Sequence, residues 1–321
     1  MLKKITITIV FLLAIYLVYH IASDNSYDPG QVTIGNCGSS TKSSIKKGKG
    51  LLASRLNSFE ELKSVVDIQY STSNFWSDYS KVELRHCSLR KEVSSILESG
   101  LDQSEIMKVR GGGIFDKASF LLKAPFAVAN RMDLIKVYNL IRRKPMTFSE
   151  GDVAFYDFAE RSVENINTKE LAFIHPRDSS EKGYINSFNH ITAQAFITSC
   201  FSEELANFIA DVHERKNMPE LTTGKFTEKQ MTDKDNFHID NYVDMINNEW
   251  GQEIGKELKT KYNISQATYW TPELTANYLN DLQRLYSQLY QIGFKPYSSD
   301  DQIVIKFAKK INIVMQGSLN M

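Results

Sequence analysis

Apolar side chains recur every three to four positions over most of the chain from about Ser58 onward, and strict alternation is sparse. That spacing puts one greasy stripe on each of a series of helices. Ser58, with Glu61 three residues on, forms a capping pattern that opens a helix through Val66. "LRKEVSSILESG" reads as helix ending at Gly100, a suitable C′ residue. "DKASFLLKAPFAVANRMDLIKVYNLIRR" is a long helical stretch that Pro125 must divide or kink. Ser149 is placed to cap "EGDVAFYDFAERSV", and a loop "HPRDSSEKG" follows. "YINSFNHITAQAFITSC" is helical. Ser202 caps "EELANFIADVHERKN", which stops before Pro219. After a polar connection, a helix runs from about Asp240 to Lys261. Thr271 and Pro272 occupy Ncap and N1 of the next one. The tail from Asp301 fits helix better than strand. The expected class is mainly α, a helical bundle-like globular domain behind one N-terminal membrane helix.

The first 26 residues set that membrane expectation. Lys3 and Lys4 precede an uncharged run from Ile5 to Ala22. Eighteen helical residues reach roughly 27 Å, close to the hydrocarbon thickness of a bilayer. With both lysines before the run, and Asp24 and Asp28 after it, the positive-inside rule puts the body outside the cytoplasm. The expected location is the inner membrane, single-pass. Signal cleavage and secretion is the alternative, disfavoured because His20 would stand at −3. The divisions that follow are a cytoplasmic segment 1–4, an anchor 5–22, a Gly/Ser/Lys-rich flexible linker 23–57, a helical region 58–175, a helical core 176–295 and a tail 296–321.

Formal net charge is zero, with 38 basic and 38 acidic residues. Proteins held to nucleic acid by bulk electrostatics are usually strongly basic, so no nucleic-acid partner is expected. The membrane is the one expected partner; protein partners stay open. Of three cysteines, Cys200 sits in an apolar helical pattern, and Cys37 with Cys87 is the one pair to consider outside the cytoplasm.

Three successive helices carry polar residues of catalytic type. Asn186, His190 and Gln194 share one stripe. Asn207, Asp211 and Glu214 lie opposite the apolar Leu205, Phe208 and Val212, with His213 on the border. In "DNYVDMINNEWG", Val243, Ile246 and Trp250 form a core face, while Asp240, Asp244, Asn247, Asn248 and Gly251 occupy other positions. Asp, Asn and Gly are poor interior helix formers, so adjacent amides at Asn247 and Asn248 suit ligating or substrate contacts. The bland readings are a lone hydrogen-bonded histidine, a solvated face at Asp211, Glu214 and Arg215, and close helix packing at Gly251 and Gly255.

"NSFNHITAQAF", "ADVHE" and "DMINNEWG" together resemble an uncharacterised bacterial domain with the pattern N-x-x-x-H-A-x-W, A-x-x-x-H-E and M-D-x-H-N-N-x-x-G. The resemblance spans Asn186 to Gly255. Asn186, His190, His213, Glu214, Asp244, Asn247, Asn248 and Gly251 match. Ile246 stands where the pattern has His. The resemblance implies a shared type of site and names no reaction.

The residues themselves nominate His190, His213, Glu214 and Asp244 as catalytic groups or metal ligands, and Asn186, Asn247 and Asn248 as substrate contacts. The cofactor is open, with a divalent metal the candidate. Strong motifs are lacking: Asn217 breaks H-E-x-x-H, Phe237 and His238 break a calcium loop, and no G-x-S-x-G elbow exists. The leading expectation is a membrane-anchored extracytoplasmic protein acting as a hydrolase on envelope material. The alternatives are a non-catalytic tethered binding or assembly module whose polar seam is structural, and an antibacterial effector or its partner.

Overall fold

A computed structural model describes residues 50–72, 80–88, 91–111, 113, 119–120, 123–232 and 238–317. The apolar run at 5–22, most of the linker and Cys37 lie outside them. Among the described residues no helix is long and apolar enough to cross a membrane.

The fold is mainly helical, as the periodicity predicts, with one small sheet that it does not. Helix α1 (Phe59–Val65) starts where Ser58 Oγ accepts from the Glu61 amide at 3.2 Å. It leads straight into β1 (Val66–Thr72), which pairs antiparallel with β2 (Ser80–Ser88), and β2 pairs with β3 (Lys91–Glu98). The stretch ending at Gly100 is therefore strand, not helix. Val82, Leu84 and His86 alternate inward along β2, as do Val93, Ser95 and Leu97 along β3. The signal is short, and its outward positions are Glu, Lys and Arg, which also suit a helix. Pairing between strands decides the outcome, and that is non-local.

Further helices are α2 (Gln103–Gly111), α3 (Arg131–Leu140), α4 (Phe155–Asn165), α5 (Tyr184–Cys200), α6 (Glu203–Asn217), α7 (His238–Tyr262), α8 (Pro272–Tyr290) and α9 (Gln302–Met315). Pro125 does divide its stretch, opening a separate short helix at Pro125–Ala129. Ser149 does not cap α4. It adopts φ 93° in a turn, and α4 begins at Phe155, where Asp157 accepts from the Ala154 amide at 2.7 Å. Ser202 and Thr271 cap α6 and α8 as expected.

One hydrophobic core joins Leu52, Leu62 and Val82 from the first part of the chain to Phe188, Ile246, Tyr286 and Phe307 from the rest. Residues 58–175 and 176–295 thus share a core. Nor does the flexible stretch extend to residue 57. Leu51 and Leu52 are buried, and Arg55 and Ser54 both bind the buried Asp178 carboxylate, at 3.0 and 2.6 Å. Asp178 lies in the "HPRDSSEKG" loop, so this ion pair clamps the chain before α1 onto the start of α5. Burial pushes the Asp178 carboxyl up, but the Arg55, Ser54 and His175 hydrogen bonds outweigh it and hold it below its ordinary value.

The most extensive contact in the molecule is between α5 and α7, which run parallel. Gly251 and Gly255 permit it. A Cβ at Gly251 would lie 2.7 Å from the Ile191 carbonyl oxygen, and one at Gly255 2.7 Å from that of Ala195. The two glycines are where two helix backbones meet.

Candidate functional site

At the N-terminal half of the α5–α7 contact the glycines give way to a polar cluster. Asp240, Asp244 and Asn248 recur every four residues on α7, and Asn186 and His190 do so on α5, so the two stripes face each other. Glu214, on α6, reaches in from the side. His190, Glu214 and Asp244 each offer a ligand atom, and these atoms lie within 4.8 Å of one another. Glu214 is 1% exposed and Asp244 6%.

Two amides orient the three groups. His190 Nδ1 donates to Asn248 Oδ1 at 2.9 Å, which leaves Nε2 as the basic nitrogen. Asn248 Nδ2 donates to Glu214 Oε1 at 3.3 Å. Asn186 Nδ2 donates to Asp244 Oδ1 at 2.8 Å and to Asp240 Oδ1 at 3.3 Å. One oxygen of each carboxylate is thus engaged by an amide. Glu214 Oε2 is buried with no hydrogen-bond partner among the described residues, and Asp244 Oδ2 lies 3.4 Å from His190 Nε2. That separation is roughly what two tetrahedral ligands about 2.1 Å from one ion have. A buried, unsatisfied carboxylate oxygen is costly, and a cation beside it removes the cost.

The electrostatics agree. Burial first, then the Asp244 charge, pushes the Glu214 carboxyl up to about 8, against the opposing pull of His190 and the Asn248 hydrogen bond. Burial and Asp240 raise Asp244 well above its ordinary value, while Asn186 and Lys182 oppose. Lys182 pairs with Asp240 at 3.1 Å at the edge of the cluster. His190, Glu214 and Asp244 form a group that could hold a metal ion, and burial alone is the first cause of both raised carboxyls.

Two nominated residues stand elsewhere. His213 is not the partner of Glu214. Adjacent helical residues point about 100° apart, so Glu214 turns inward while His213 is exposed at the rim, its ring centroid 6.2 Å from that of His190. It is outside the group whose ligand atoms converge. Crowding by protein, then the charges of His190, Lys216 and Arg142, hold its imidazole below the ordinary value, and its exposed edge tempers the lowering. Asn247 also departs from the pattern. It is fully buried, donates to Ser187 Oγ at 3.1 Å and accepts from Tyr290 at 3.5 Å, on the core side of α7. Ile246 too is core, so no histidine is missing from the cluster at that position. The supposed solvated face of α6 is buried at Asp211 and Glu214, and Arg215 ties Asp211 to the Glu98 and Leu101 carbonyls.

A second buried acid escaped the sequence reading. Glu249 is pushed up to about 8 by burial, with Asp211, Glu203 and Glu253 adding to it and a Ser95 hydrogen bond opposing. It follows Asn248 directly and so turns toward β3, away from His190. Nothing in its spacing distinguished it from a surface glutamate. Cys87 is disulfide-bonded, and Cys200 is a buried free thiol whose pKa burial raises to about 12.

No family model, curated protein or solved structure matches this chain.

Proposed function

We propose that the protein is a membrane-tethered, extracytoplasmic metal-dependent hydrolase whose centre is His190, Glu214 and Asp244. The observation that carries this reading is the convergence of His190 Nε2, an unsatisfied Glu214 oxygen and Asp244 Oδ2, with Asn248 and Asn186 holding the opposite atoms. Outer amides that fix the tautomer and orientation of ligands are a recurrent feature of metal centres. One histidine and two carboxylates suit zinc or manganese and leave coordination positions for water and substrate. Such an ion polarises an ester or phosphoryl oxygen and lowers the pKa of bound water. The chain's own parts then have distinct roles. Asn248 keeps Nε2 of His190 turned inward, Asn186 holds Asp244, and His213 stands at the rim with its ring centroid 6.2 Å from that of His190. Asn186 and Asn248 are positioning residues here, and Asn247 is structural.

The location is supported by the run from Ile5 to Ala22 behind two lysines, and by the disulfide at Cys87, since disulfides persist in oxidising compartments. Envelope material is the substrate class that such a location brings within reach. The test is titration of the purified full-length protein with zinc and manganese. One equivalent should bind, and His190→Ala and Glu214→Gln should each weaken it by at least about tenfold. Equal affinity in the variants would reject this centre.

A further inference from the structure

Helix α3 turns Leu134, Val137 and Leu140 into the core and shows a second apolar side to solvent. Met132, Ile135 and Tyr138, on successive turns, are 49%, 39% and 38% exposed. Met146, in the turn just beyond the helix, is 98% exposed. Apolar side chains exposed singly are ordinary, but three on successive turns of one helix make a patch, and a patch marks a contact.

The charge around this face has one sign. Between Arg131 and Lys144 stand five basic residues and one acidic, in a chain whose formal charge is zero. The acid, Asp133, is held by Lys136 and by Gln266, each at 3.1 Å. Arg131 is exposed beside Met132 at one end of the face. At the other end Lys144 Nζ lies 4.3 Å from the centre of the Tyr138 ring, so this cation sits on the patch itself. Neither Arg131 nor Lys144 forms an ion pair among the described residues, whereas Arg143 spends its charge on Asp157 and Glu160.

An apolar centre edged by cations and free of exposed acid suits the boundary between water and anionic lipid. The apolar groups enter, the tyrosine sits at headgroup level, and the cations reach the phosphates. A second copy of the chain fits badly, since pairing the face with itself sets cation against cation whichever way the helices run. On the location proposed above, a bilayer is also within reach. The 27 positions from Ser23 to Lys49 separate the apolar run from the folded body. A chain of that length spans roughly 90 Å fully stretched and roughly 30 Å as a coil. Any face can therefore turn to the membrane, and at such an effective concentration a weak one suffices.

We propose that the α3 face, Met132, Ile135 and Tyr138 edged by Arg131 and Lys144, docks on the surface of an anionic bilayer and lays the body against the membrane. This rests on the location proposed above and not on the metal centre.

Spin labels on the full-length protein test it, at Ile135→Cys and, as controls on other elements, at Leu171→Cys and Met231→Cys, both exposed apolar positions. The unsubstituted chain, treated in parallel, gives the blank. The protein is reconstituted in vesicles of phosphatidylcholine, alone or mixed with phosphatidylglycerol. In the mixed vesicles the label at 135 should be shielded from a water-soluble paramagnetic reagent and collide more with oxygen, while the controls stay in water. Arg131→Gln with Lys144→Gln should weaken docking by about tenfold or more, at unchanged melting temperature. Position 135 left in water, equal shielding at all three positions, an unchanged double variant, or shielding that vanishes when the protein is diluted among the vesicles would each overturn the proposal. The last of these would show a second copy on the face. Flotation separates the two readings. A chain that stays with phosphatidylcholine vesicles while position 135 remains in water keeps the anchor and loses the face. A chain that floats only with the mixed vesicles, and not as the double variant, keeps the face and loses the anchor.

Discussion

The two halves of the α5–α7 contact are built from the same pair of helices and do opposite things. Toward the C-terminal ends, Gly251 and Gly255 let backbones touch, and Ser199 Oγ donates to the Gly255 carbonyl at 2.8 Å. Toward the N-terminal ends the same helices face each other through Asp240, Asp244, Asn186, His190 and Asn248, and Glu214 Oε2 is left with no partner among the described residues. A seam whose only task was to fix register would satisfy every buried group along its length. The glycine half leaves a neutral hydroxyl, Thr198 Oγ1, without a partner among the described residues, whereas the histidine half leaves a carboxylate oxygen, Glu214 Oε2, beside His190 and Asp244, and an unpaired carboxylate is the costlier orphan and the one that points to a cation.

Breaking the glycine half should have the largest effect. Gly255→Val forces a branched side chain against the Ala195 carbonyl and Thr198, and about 3 kcal/mol of stability should be lost in urea unfolding. Asn247→Ala removes a fully buried amide from Ser187 and Tyr290. About 2 kcal/mol should go, with divalent-ion affinity unchanged by calorimetry. Its neighbour should behave in the opposite sense. Asn248→Ala should lose only about 1 kcal/mol of stability, yet about tenfold or more in ion affinity, because it orients His190 and Glu214. A result in which the two asparagines cannot be told apart would erase the distinction between core and site.

The last prediction concerns pH dependence. Glu214 has its folded pKa raised from 4.5 to about 8, so between those values the metal-free native state holds a proton that the unfolded chain releases. Stability from this group is complete below about 4.5 and is lost as pH rises through about 8. Glu249 contributes in the same direction. Glu214→Gln should therefore raise the metal-free melting temperature at pH 8 and leave it unchanged at pH 4. The remaining slope then includes Asp244 and Glu249, both raised by burial.

Helices were readable because their signals are local. Ser58, Ser202, Thr271 and Pro272 mark starts by capping chemistry, and the 3.6-residue period carries α5 through α9. The three strands were not, since Lys, Glu and Arg on their outer positions suit either state and cross-strand pairing is invisible along the chain. In the site, residue types were legible but directions were not. Asn247 and Asn248 look equivalent in sequence, yet about 100° of helical rotation sends one to Tyr290 and the other to His190. The same rotation separates His213 from Glu214. The clamp of Arg55 on Asp178 joins residues 123 apart in sequence, and no local pattern announces it.

The most direct test of the central claim is anomalous diffraction from crystals of the protein grown with zinc or manganese. The account predicts one strong peak about 2.0–2.2 Å from His190 Nε2 and from one oxygen each of Glu214 and Asp244. It predicts that Asn248 and Asn186 keep their present hydrogen bonds. A map with no peak there, and with Glu214 Oε2 instead donating a proton to Asp244, would contradict it and leave a protonated carboxyl pair in place of a metal centre.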